Sequence, residues 1–251
     1  WDPWELWVMN ADGSGARFLA TGIIAKAPRD WSPDGRALVI EAERAGNHQL
    51  VVVRADGSGE RTLSQHDSLD GDPDWSPDGT TIAFRSDRDG QGEIYLVGAE
   101  GGNLRRLTRD PGRDGEPAWS PDGRWIAYTC SPEGHRDLCL IGADGTAPRR
   151  LTASPGEDFA PAWSPDGTRI AFQAVRGENY DVEVLDLSGG RRTRLTDGAG
   201  FDGQFAWAPE GTHLAVISDR GGEEGLYLID AKSGATVQVA AGPVLDPDFT
   251  P

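Results

Sequence analysis

Short apolar runs, each closed by a turn bearing Gly or Pro, follow one another along the whole chain. Ile82-Ala83-Phe84, Ile126-Ala127-Tyr128 and Ile170-Ala171-Phe172 are too short for helices and are rich in β-branched and aromatic residues, so they read as strands. Further apolar runs at 94–97, 138–141 and 226–229 end in turns such as Ala143-Asp144-Gly145. Shorter runs at 105–108 and 149–152 carry Arg before Leu-Thr. No segment of 10 or more residues shows helical periodicity free of Gly or Pro. The pattern predicts an all-β chain built from units of four short strands.

The units repeat without insertion or deletion. Trp-Ser-Pro-Asp-Gly starts at Trp31, Trp75, Trp119 and Trp163, and Trp-Ala-Pro-Glu-Gly at Trp207, each 44 residues after the last. Leu19, Leu63, Leu107, Leu151, Leu195 and Val239 keep the same register. Pro suits the second position of a tight turn and Gly tolerates positive φ, so Ser-Pro-Asp-Gly reverses the chain between first and second strands. A period of this length with four strands per unit belongs to β-propellers. The recurring Trp is the expected wedge between blades rather than a ligand contact.

The register predicts one domain over 1–251 with six blades: 22–64, 65–108, 109–152, 153–196, 197–240, and a closing blade from 241–251 plus 1–21. Leu6 aligns with Leu50, giving the closing blade a third strand at 6–9 and a fourth at 17–20. Pro251 aligns with Pro33, so 11 positions fall between the two ends and the closing blade lacks one strand. The expectation is a segment trimmed from a longer protein, with residues 1–4 covering the gap as the alternative.

Pro-x-Trp-Ser-Pro-Asp-Gly-x-x-Ile-Ala-Phe, then Ile-Tyr-Leu, then Arg-Arg-Leu-Thr, resembles the repeats of the TolB-type propeller family over nearly the whole chain. The closest matches are 73–84 with 94–96, and 117–128 with 149–152. The resemblance implies a six-bladed, non-catalytic module that binds a protein partner in the bacterial periplasm. Similar propellers accompany serine peptidases and pectin-degrading lyases and serve as sensor domains of receptors.

Composition narrows the function classes. The 251 residues include 41 acidic and 24 basic side chains, a net charge of −17, which repels phosphate backbones and argues against nucleic-acid binding. At 37% hydrophobic residues there is ample material for a core. No apolar stretch approaches the roughly 18 residues of a membrane span. No leader opens the chain, so any export signal is expected to have been removed or to lie outside it.

The residue five before each Trp is Asp70, Asp114, Asp158 and Asp202 in four consecutive blades. Asp72, Glu116 and Asp246 stand two positions further on in their blades. In a propeller these positions enter the innermost strand at one mouth of the channel, so the acids predict a partly acidic rim. Such a rim favours a basic peptide segment, a polyamine or a divalent cation. The alternative is that each Asp caps its own loop through backbone N–H groups. The Asp of Ser-Pro-Asp-Gly (Asp34, Asp78, Asp122, Asp166) is a turn residue.

Other chemistry is sparse. Ser86-Asp87-Arg88-Asp89-Gly90 and Ser218-Asp219-Arg220-Gly221 lack the distant bidentate acid of a calcium loop and read as polar hairpin turns. His48, His66, His135 and His213 share no register position, so no metal-binding ring of imidazoles is expected. There is no Gly-x-Ser-x-Gly, hence no peptidase triad. The arginine pairs at 105–106, 149–150 and 191–192 read as protection of the outer edge. Cys130 and Cys139 flank a hairpin whose antiparallel strands can bring them within disulfide range, which would place the chain in an oxidising compartment. Two separate small apolar residues are the alternative. The reading is a monomeric, cofactor-free module, periplasmic or extracellular, that binds a protein or basic peptide. Its rivals are the accessory propeller of a larger peptidase or carbohydrate-active enzyme, and the sensor domain of a receptor.

Overall fold

A computed structural model describes residues 4–10, 14–24, 29–44, 46–64, 67–198 and 200–242. Asp246, Phe249 and His66 lie outside these described residues. The chain forms two compact units, residues 1–119 with 143–145, and residues 120–142 with 146–251. Every element described is a β-strand.

The first unit opens with β1 (Trp4–Val8), β2 (Arg17–Ile23), β3 (Arg29–Trp31), β4 (Ala37–Arg44), β5 (Asn47–Arg54) and β6 (Glu60–Thr62). These six form one sheet in the order β1-β2-β4-β5-β6, with β3 also paired to β4. The second sheet runs β7 (Asp70–Trp75), β8 (Thr81–Ser86), β9 (Glu93–Gly98) and β10 (Arg105–Arg106), each strand beside the next. Strand β11 (Asp114–Trp119) completes this unit.

The second unit carries β12 (Trp125–Cys130), β13 (Asp137–Gly142) and β14 (Arg149–Arg150), paired in that order in the third sheet. The fourth sheet is β15 (Glu157–Trp163), β16 (Arg169–Arg176), β17 (Asn179–Asp186) and β18 (Arg192–Arg194). The fifth is β19 (Asp202–Trp207), β20 (His213–Ser218), β21 (Gly225–Asp230) and β22 (Thr236–Ala241).

There are thus five blades among the described residues, and the expectation of six is corrected. The hairpin β1–β2, assigned from sequence to a closing blade shared with 241–251, joins the first sheet through Ile23 opposite Ala42. A two-stranded hairpin is marginal by itself. Here it gains a core by burying Ala20 and Ile23 with Leu38, Ile40, Ala42, Val51 and Val53.

The turns follow their sequence. In four blades the Ser hydroxyl of Ser-Pro-Asp-Gly donates to the Asp carboxylate at 2.6–2.7 Å. That carboxylate accepts the backbone N–H two residues on at 3.0–3.1 Å. The serine bond is the main force holding Asp34, Asp78 and Asp122 below the usual carboxylate range, and Asp166 down to about 2.

Trp75 packs with Val39 and Val52 of the first sheet and with Ile82 and Phe84 of the second. Trp207 does the same between Val182 and Val184 of the fourth sheet and Leu214 and Val216 of the fifth. Each indole fills the seam between adjoining sheets of its unit. Its area burial there is worth roughly 1.5–3 kcal/mol.

Cys130 and Cys139 are joined by a disulfide. A closed loop of this size contributes about 2–3 kcal/mol by the chain-entropy estimate. Changing both cysteines to alanine is therefore expected to lower the thermal midpoint, as is adding reductant. A midpoint unaffected by either treatment would contradict this.

Candidate functional site

The innermost strands share one distortion. Asp72, Glu116, Ala160 and Gln204, each 44 residues from the last, have φ of 52°, 49°, 52° and 42°. Where the ladders are described, the register shifts between Gly71 and Asp74, Phe159 and Ala162, and Gly203 and Phe205. Each left-handed residue is thus a bulge at the start of its strand. Left-handed φ in non-glycine residues costs about 1–3 kcal/mol each and persists only where the surroundings enforce it.

The preceding residue shows the enforcement. A Cβ on Gly71 would lie 2.6 Å from a Glu41 carboxylate oxygen, and one on Gly203 2.5 Å from the Gln173 amide nitrogen. At these two bulges a second-strand side chain lies so close to the backbone that only glycine leaves room, whereas Phe159 precedes Ala160.

The acids singled out from sequence divide into two kinds. Asp70, Asp158 and Asp202 are buried and ion-paired inside their own blades. Arg88 reaches both oxygens of Asp70 at 3.1 Å, and Arg220 bonds Asp202 at 2.8 Å. Asp158 receives Arg176 at 2.7 Å, Arg192 at 2.9 and 3.0 Å, and the Ser154 hydroxyl at 2.8 Å. Burial alone would raise the Asp158 carboxyl, but Arg192, Arg176 and Ser154 outweigh it and hold it below the usual range. These three carboxylates are neutralised within the fold.

In each case an arginine stands 18 positions after the aspartate: Arg88, Arg176 and Arg220. The arginines of the two polar hairpin turns are therefore internal clamps. Arg88 also donates to Ser86 at 2.8 Å and lies 4.8 Å from the Tyr95 ring centre. Ser218, Arg220 and Tyr227 repeat this at 2.8 and 5.3 Å. In the third blade the same register positions are Cys130, Pro132 and Cys139. A covalent clamp takes the place of an ionic one.

Asp114 is the aspartate whose register arginine is lost. It is 1% exposed, and neither carboxylate oxygen has a hydrogen-bond partner. The nearby Thr108 hydroxyl donates instead to Glu93 at 2.9 Å. Burial pushes the Asp114 carboxyl up to about 7; Glu93 and Asp110 add to the rise, and Thr108 and Arg106 oppose it.

Asp72 and Glu116 are the second kind, half-buried on the bulges themselves. Asp72 accepts Arg85 Nε at 2.9 Å and the Glu116 backbone N–H at 3.4 Å. Beside them Glu41 holds His48 Nδ1 at 2.8 Å, and burial raises its carboxyl despite that bond. Glu41, His48, Asp72, Arg85 and Glu116 make a mixed polar patch in the first unit.

Sequence reasoning missed a second set of buried acids, Glu93, Asp137 and Asp181, at the start of third strands. Arg106, Arg150 and Arg194 bond them at 2.5, 2.5 and 2.6 Å. The same arginines donate to the carbonyls of Thr108, Thr152 and Thr196 at 2.8 Å. Arg105, Arg149 and Arg150 remain exposed even so, and Arg106 is half-buried. The signal was present as an acid 13 residues before the Arg of Arg-Leu-Thr. Among the described residues, no group of three or more His, Cys, Asp or Glu side chains could hold a metal ion. No helix among them is long and apolar enough to cross a membrane.

Four-stranded antiparallel sheets recurring every 44 residues, wedged by tryptophan, define the class as a β-propeller. The family pattern described as the TolB beta propeller domain matches residues 5–111, 107–179 and 150–244, and the chain belongs to that family. The structure is similar to TolB from Acinetobacter baumannii, with 21% identity and a TM-score of 0.77, over 96% of this chain and 60% of that one. It is similar to putative TolB from Agrobacterium tumefaciens, with 22% identity and a TM-score of 0.77, over 98% of this chain and 93% of that one. A puromycin-hydrolyzing peptidase from Mycobacterium tuberculosis also matches, with 15% identity and a TM-score of 0.68, over 97% of this chain and 46% of that one. No curated protein matches.

Proposed function

We propose that the chain is a non-catalytic module that binds a protein or basic peptide segment through the bulged starts of its innermost strands. The observation that carries this reading is the left-handed backbone at Asp72, Glu116, Ala160 and Gln204, strain held in four consecutive blades without glycine. Strain of this kind clusters at ligand clamps. Asp72 and Glu116 supply carboxylates there for a lysine or arginine side chain. Membership of the TolB beta propeller domain family supports a binding role, and the disulfide supports a periplasmic or extracellular location. The peptidase match, in which this chain spans 46% of the relative, favours as a second reading the accessory propeller of a larger hydrolase.

The test is titration with a lysine-alanine hexapeptide as probe. The double variant Asp72→Asn with Glu116→Gln is expected to bind it about tenfold more weakly, the loss of charge-assisted hydrogen bonds. Glu178→Gln with Glu223→Gln removes the same charge from exposed positions elsewhere and is expected to change little. Equal weakening by both pairs would reduce the effect to net charge and sink the proposed site.

A further inference from the structure

We propose that the exposed ring pair Tyr180–Phe201 of the second unit binds an arginine side chain of the partner segment. This rests on the reading above and adds to it a second anchor of different chemistry.

The second unit keeps the bulges but not their acids. Ala160 and Gln204 stand where the first unit has Asp72 and Glu116. Beside the Gln204 bulge the surface is aromatic. A Cβ on Gly203 would lie 2.5 Å from the Phe201 ring, so that ring rests directly on the bulged backbone. The Tyr180 ring stands 5.7 Å from it, inclined at 48°. An isolated parallel bridge joins the two residues, and the Tyr180 N–H donates to the Gly200 carbonyl at 3.3 Å. The Phe201 N–H donates to Asp219 Oδ1 at 2.9 Å, and the Asp219 N–H returns to the Phe201 carbonyl at 3.1 Å. Both aromatic residues are nonetheless 37% exposed. Rings held in place before a ligand arrives lose little freedom when it binds.

The repeat does not need these rings. Leu69 and His48 occupy the matching positions at the start of the second blade, and the Leu69 N–H bonds Asp87 at 2.8 Å in the same way. What the rings would take is shown by the rest of the fold. Arg88 and Arg220 cover tyrosines, as described. Arg136 lies 3.7 Å from the Phe159 ring centre, and Arg169 and Arg192 lie 4.8 Å from those of Trp207 and Phe172. Among the described residues no arginine or lysine covers Tyr180 or Phe201. The neighbouring cations, Arg176 and Arg220, are bonded to Asp158 and Asp202. Asp219 is exposed, and its Oδ2 accepts no hydrogen bond among the described residues. A guanidinium can stack on a ring and donate from its edge to a carboxylate, a geometry the compact ammonium of lysine lacks. The net charge of −17 favours the approach of such a cation.

The test follows the ring-proton NMR resonances of Tyr180 and Phe201 during titration with a capped alanine hexapeptide bearing one central arginine. Saturable shifts are expected, with a Kd of about 1 mM or tighter. The same peptide with leucine in place of arginine is expected to bind at least about fivefold more weakly. Phe201→Leu supplies the side chain that Leu69 carries and keeps the backbone bond to Asp219. Asp219→Asn keeps an acceptor for the Phe201 N–H. Each is expected to weaken the arginine peptide at least about fivefold. Asp72→Asn with Glu116→Gln is expected to leave the ring shifts intact, so a failed lysine titration and a failure here are separate results. No saturable shift, equal binding of the leucine peptide, undiminished affinity in either single variant, or ring shifts that disappear with the double variant would each overturn the proposal.

Discussion

Replacing Asp158 by alanine is expected to destabilise the protein by about 3–5 kcal/mol, the range for breaking a buried ion pair by removing one partner. The Asp158 carboxylate is fully buried and accepts hydrogen bonds from two guanidinium groups and a hydroxyl. Its removal leaves Arg176 and Arg192 with Glu183 alone, which Arg192 bonds at 2.7 Å and Arg176 approaches at 3.8 Å. The uncompensated positive charge is the source of the loss. Urea unfolding at neutral pH measures it. A loss under about 1 kcal/mol, as for exposed pairs, would mean that water screens the cluster.

Asp114 is expected to make stability fall as the solution becomes less acidic. Its folded pKa of about 7 lies above the ordinary value near 3.8. Between these two values the unfolded chain gives up the proton while the folded one keeps it, so rising pH favours unfolding. The contribution is fully present below about pH 4, declines through the interval, and is gone above about pH 7. A three-unit shift corresponds to about 4 kcal/mol. Asn at this position cannot titrate, so the stability difference between wild type and Asp114→Asn is expected to change across that window. Asp166 and its turn equivalents, held low, act in the opposite direction and only in more acidic solution. The two effects therefore separate on the pH axis. Parallel pH profiles for wild type and Asp114→Asn would show that the carboxyl ionises in place without penalty.

Much of the fold was legible because its causes are local. Ser-Pro-Asp-Gly encodes a turn wherever it stands, and a Trp recurring in fixed register can only be serving equivalent seams. The number of blades was not legible, since it depends on where β2 finds its partner, and Ile23 beside Ala42 is a long-range choice. The repeated aspartates were visible, but their neutralisation was not. An acid looks the same in sequence whether it meets water or an arginine 18 residues away. The exception at Asp114 was readable as Pro132, once the arginines in the same register are recognised as partners. The bulges left only an indirect trace, the glycine that recurs before them at Gly71, Gly115 and Gly203, because Glu, Ala and Gln carry no signature of positive φ.

Carbon-13 NMR of the aspartate carboxyl groups, followed from about pH 2 to about pH 9, tests most directly whether these acids are held inside their blades. One resonance is expected to titrate at about 7 and to vanish in Asp114→Asn, while Asp158 titrates below the usual range. Both carboxyls titrating together near 3.8, as solvated side chains do, would contradict the account.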